Sequence, residues 1–151
     1  MLYRKFHPSV CLKDLIECHF VWDSEGENCA GRVFDSPPSG FTSIVFNYAD
    51  PYSLTNLKHK LLTLPEAFVA GQSLYRYSLT MSGTIGMVGS VFKPAGLHTL
   101  FGIDMASIVE ERQPLSGFVS GGQDSVLFSA IREAADPELR AGLLDAFFVS
   151  E

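Results

Sequence analysis

Phe41-Thr42-Ser43-Ile44-Val45-Phe46-Asn47-Tyr48 is the stretch on which the fold turns. Aromatic and β-branched residues dominate it, Pro37-Pro38-Ser39-Gly40 precedes it and Asp50-Pro51 stops it, so it reads as one strand bounded by turns. The same grammar recurs on both sides. Upstream, residues 15–22 are predicted as a strand whose even positions, Ile16, Cys18, Phe20 and Trp22, form an apolar face opposite Glu17 and His19. Downstream, residues 74–81 and 84–93 flank Ser82-Gly83 and are predicted to pair as a tight hairpin. Shorter strands are expected over 52–57 and 67–71.

From Ala95 the apolar spacing becomes helical. Leu97, Leu100 and Phe101 share one side of a short helix ended by Gly102, and Asp104 can cap a second one reaching Glu111. After a Gly-rich loop, Asp124 or Ser125 can cap a helix that presents Val126, Leu127, Ala130 and Ile131. Asp136-Pro137-Glu138 is a sharper start, because proline at the first helical position gives up an N–H that had no partner there. The last helix carries a wide apolar stripe of Leu139, Leu143, Leu144, Phe147 and Phe148. Strands followed by helices predict an α+β chain, an antiparallel sandwich or barrel over residues 1–103 with a helical subdomain over 104–151.

Composition narrows the function classes. The 151 residues are 46% hydrophobic and 19% charged, which excludes a disordered chain, and no apolar run has the roughly 18 residues of a membrane span. The start Met1-Leu2-Tyr3-Arg4-Lys5-Phe6-His7-Pro8 has no secretory-signal pattern, and the three cysteines, Cys11, Cys18 and Cys29, form no C-x-x-C pair, so a cytoplasmic location is expected. All of the net charge of −6 falls after residue 103, and no basic stripe offers counterion release to a nucleic acid.

Nucleotide-loop, serine-elbow and zinc-helix motifs are absent, and His7, His19, His59 and His98 are scattered, so neither a metal centre nor a catalytic set is expected. Glu17 and His19, two apart on one strand, could form an acid/base pair, but such an alternation more commonly marks a solvated face. Trp22, Phe46, Tyr48, Tyr75, Tyr77 and Phe92 could line an internal pocket, with Gln72 and Arg76 as polar anchors. The alternative for the same aromatics is plain core. The stripe of Leu143, Leu144, Phe147 and Phe148 is expected either to pack on the rest of the chain or to form a two-fold interface in a homodimer.

The run 37–51, then Phe68-Val69-Ala70-Gly71-Gln72, then Val91-Phe92-Lys93-Pro94-Ala95-Gly96 with Leu100-Phe101-Gly102, resembles the N-terminal domain of a group of AraC-type transcription regulators. The order of these segments carries the resemblance over nearly the whole chain, with departures at Ser39 and Ala95. It implies a cupin-like β-barrel that senses a small effector or mediates dimerisation, without a cofactor. DNA would be bound only through a C-terminal helix-turn-helix domain lying beyond Glu151, so the end of the last helix reads as a domain boundary. Two other readings share the fold: a small cupin-type metal-dependent enzyme, an isomerase or dioxygenase using His19, Glu17 or His98, and a dimerisation module with a filled interior.

Overall fold

The computed structural model describes all residues, 1–151. Its ten strands are β1 (Leu2–Phe6), β2 (Ile16–Asp23), β3 (Val33–Ser36), β4 (Thr42–Asn47), β5 (Tyr52–Thr55), β6 (Leu62–Thr63), β7 (Ala67–Ala70), β8 (Tyr77–Met81), β9 (Gly86–Phe92) and β10 (Arg112–Pro114). The helices are α1 (Gly96–Phe101), α2 (Gln123–Glu133) and α3 (Pro137–Val149). A six-stranded antiparallel sheet runs β1-β2-β9-β4-β7-β10, and a four-stranded one runs β3-β8-β5-β6. The fold is therefore α+β with two antiparallel sheets, and neither sheet closes on itself, because each ends in its own edge strands. No helix is long and apolar enough to cross a membrane.

The layers are helices, large sheet, small sheet. One core lies between the helices and the large sheet and includes Ile44, Phe46, Val88, Phe92, Ile131, Leu144 and Phe148. A second lies between the sheets around Val45, Tyr52, Leu54, Phe68, Met81 and Met87. The large sheet is thus buried on both faces, which is why its central strand β4 reads as a nearly continuous apolar run rather than an alternating one.

The predicted hairpin across Ser82-Gly83 is corrected: β8 and β9 belong to different sheets. The connection turns a corner held by Asp50, whose carboxylate accepts from the Thr84 N–H and hydroxyl, while Ile85 N–H donates to Ser24 Oγ. The expected strand over 74–81 starts only at Tyr77, because Glu110 draws the Leu74 and Tyr75 N–H groups out of any ladder. Most of the turn-rich clusters behave this way. Residues 37–40, 48–51, 64–66 and 82–85 each carry the chain from one sheet to the other.

Strand β2 is present, and Cys18, Phe20 and Trp22 share a face as expected, but Ile16 does not join them. A register shift between Ile16 and Cys18 in the pairing with β9 inserts one residue. Ile16 therefore shares the helix-side core with Val21, while Phe20 and Trp22 pack toward the small sheet and His19 is buried under the helices.

The expected boundary at 103 is crossed, since β10 pairs with β7 inside the large sheet. Asp104 caps a short 3-10 turn (Met105–Ile108) through Ala106 N–H, and Gly102 ends α1 in the left-handed conformation at φ 67°. Helix α2 starts earlier than expected, from Gly122 at φ 70° rather than from Asp124 or Ser125. Helix α3 begins as read, with Asp136 accepting from Leu139 N–H and Pro137 next. Its stripe is spent inside the chain. Leu144 and Phe148 are fully buried in the core, with Leu143 and Phe147 packed against it, so the first two have no surface to offer a second copy.

Candidate functional site

Between the sheets lies a cavity of about 270 Å³. Its walls follow from strand parity. On β4 and β9, Val45 and Val91 face the cavity, while their neighbours Phe46 and Phe92 face the helices. The bulge in β2 turns Phe20 and Trp22 inward, and β5 and β8 of the small sheet supply Tyr52, Leu54, Tyr77 and Leu79. Tyr3 and Phe41 are the lining aromatics most exposed to solvent.

Of the aromatic and polar residues expected to line a pocket, Trp22 and Tyr77 do so. The other six lie elsewhere. Phe46 packs edge-on to Phe128 at 6.2 Å and Phe92 edge-on to Phe148 at 5.2 Å, both in the helix-side core. Tyr48 is also on that side, donating to Asp23 Oδ2 at 2.8 Å beneath the Arg140 guanidinium, which sits 3.9 Å from the ring. Gln72 uses its carbonyl to accept from Glu110 N–H, Tyr75 is 53% exposed and Arg76 is exposed. Anticipating six strands but not their assignment to two sheets made every inward-or-outward choice an even bet.

The polar groups of the cavity are ones the sequence reading missed. Arg112, on β10, is 8% exposed; its Nη2 donates to Ser73 Oγ at 3.0 Å and its guanidinium lies 4.9 Å from the Tyr77 ring centre. None of the chain's ion pairs includes it. Two buried side-chain polar atoms in the protein lack a hydrogen-bond partner, Arg112 Nη1 on the cavity side and Thr42 Oγ1, whose side chain shares the helix-side face of β4 with Ile44 and Phe46. Tyr52 points its hydroxyl at Met87 Sδ, 3.8 Å away, a weak acceptor, and burial pushes its pKa up so that it stays a donor. A three-residue strand at 112–114 has no periodic signal, and Arg112 is one of three arginines in the last third, so nothing in the sequence singles it out.

His19 forms a different cluster on the helix side. Its Nδ1 lies 2.7 Å from Ser90 Oγ and its Nε2 2.9 Å from Asp145 Oδ1, while Asp145 also accepts from Ser9 N–H at 2.8 Å and from the Ser9 hydroxyl. Burial alone would raise the Asp145 pKa, but the hydrogen bonds from Ser9 and His19 hold it below the ordinary carboxylate value. Ser90 and His19 are fully buried, and the array ties α3 to β2 and β9. Glu17 is exposed on the far side of β2, and His98, on α1, bonds the Ile103 carbonyl at 3.1 Å. Glu17, His19 and His98 do not converge, and no three His, Cys, Asp or Glu side chains are grouped to hold a metal ion.

Residues 4–114 match the family described as a domain of unknown function (DUF6597). That span ends with the last residue of β10 and holds every cavity-lining residue except Tyr3. No curated protein matches the chain.

Proposed function

The chain belongs to this family of unknown function, and on that footing we propose that it is the effector-sensing domain of an AraC-type transcription regulator. The observation that carries the reading is the cavity: a mostly apolar space between two sheets, with a few buried polar groups left over, is how proteins hold small organic molecules. In this reading the two sheets are an opened cupin-like barrel. Strands β4 and β9 connect the parts, since Val45 and Val91 line the cavity while Phe46 and Phe92 pack under the helices. A ligand that binds two arrangements of those strands with different affinity shifts the balance between them and so the placing of α3. The regulator would work in the cytoplasm as a homodimer and grip DNA through a C-terminal helix-turn-helix domain.

A gel-shift comparison tests this. Residues 1–151 alone should leave DNA unshifted, as their net charge of −6 requires, and the longer regulator should bind with a steep salt dependence. Tight sequence-specific binding by the 151-residue chain, or a gene ending at Glu151 whose product turns over a metabolite, overturns the proposal.

A further inference from the structure

Arg112 forms no ion pair with any carboxylate of the chain. It is 8% exposed, and a buried charge without a paired counter-charge is costly. Neither acidic residue beside it in sequence forms an ion pair with it. Glu110 accepts from Leu74 and Tyr75 N–H and from Asn56, and Glu111 pairs with Lys58 and His59. What remains around Arg112 is the cavity, the Ser73 hydroxyl and the face of Tyr77.

We infer that the cavity takes a small organic carboxylate, its charged end held by Arg112 and its apolar body lying among Phe20, Trp22, Val45 and Leu54. This rests on the ligand-sensing reading above and names the class of ligand. Three features select the class. A single buried positive charge matches a single negative one, and Arg112 Nη1 is left without a partner. A phosphate would bring more oxygens than this one donor serves, and the nearby Gly71 and Ser73 N–H groups are already given to the Glu111 and Ser39 carbonyls. Finally, 14 of the 21 lining residues are hydrophobic, which rejects a sugar acid covered in hydroxyls, and 270 Å³ is the space of roughly nine waters at about 30 Å³ each, suited to a body the size of benzoate or hexanoate.

The protein carries its own probe, since its one tryptophan, Trp22, lines the cavity. Titrations of Trp22 emission at fixed ionic strength would compare benzoate with benzamide and hexanoate with hexanamide, which match in shape and differ in charge. The carboxylates should give saturable changes and bind at least about tenfold more tightly than their amides, the margin expected of a charged hydrogen bond. In Arg112→Met that advantage should vanish. Amides that bind as tightly as the carboxylates, or an Arg112→Met protein that keeps the carboxylate preference, overturn this inference and leave the sensing reading standing. No saturable response from any of the four compounds overturns both. Should Arg112→Met fail to fold, the carboxylate-to-amide ratio of the unaltered protein decides by itself.

Discussion

Replacing Phe148 by alanine separates a helix that completes a core from one that waits for a second copy of the chain. The ring is fully buried, edge-on to Phe92, Phe101 and Phe147 at 5.2, 6.1 and 5.3 Å between centres and stacked on His19 at 6.5 Å. Truncating a core phenylalanine costs about 3–5 kcal/mol in lost transfer energy and cavity formation, and the additional edge-on contacts place Phe148 near the top of that range. With about 2–4 °C per kcal/mol for a chain of this length, the melting temperature should fall by roughly 10–15 °C. Urea unfolding followed by circular dichroism, at low and high protein concentration, measures it. The loss should be the same at both concentrations, because every partner of the ring lies in its own chain. A loss under about 1 kcal/mol, or one that changes with protein concentration, refutes the assignment of this stripe to the internal core.

A Cβ added at Gly71 would lie 1.7 Å from the Ile108 carbonyl oxygen, so Gly71→Ala should cost about 1–3 kcal/mol or more in urea melts, while Gly117→Ala, which meets nothing within 4 Å, should stay within about 0.5 kcal/mol of the parent; equal effects would discard the close approach of β7 to the turn before β10. Because the Asp145 carboxyl sits below its ordinary value of 3.8, the ionised form favours the folded state, so its contribution is complete above that pH and is lost as pH falls through the lower folded value. Asp145→Asn should therefore be less stable than the parent at neutral pH, with the gap closing in acid below the ordinary carboxylate range; a gap that stays constant down the acid limb would remove the Ser9–Asp145–His19 linkage as its source.

Local chemistry was readable where a few adjacent residues settle the matter. Asp136-Pro137 starts α3 because a carboxylate cap and a proline need only their own turn, and Gly102 ends α1 because a left-handed residue needs only the absence of a Cβ. The strand 42–47 was legible from composition and its bounding prolines. Its orientation was not, since both faces of the large sheet are buried and apolar residues appear on each. The Ser82-Gly83 turn shows the same gap, for a tight connection is compatible with pairing its flanks or with sending them to different sheets, and the choice rests on Asp50, distant in sequence. Arg112 was invisible as a site residue because its isolation depends on where Glu110 and Glu111 find their partners.

The sequence alone determined that strands precede helices, where the principal ones lie and that the acidic charge gathers in the last third. These are sums over neighbouring residues, fixed by propensity, capping and turn chemistry. Tertiary structure decided which sheet each strand joined, the inserted residue in β2 that buries His19, and the enclosure of an unpaired guanidinium beside an apolar space. Those outcomes depend on pairings between residues far apart in the chain, and a one-residue change in register is enough to reverse which side chains meet the cavity.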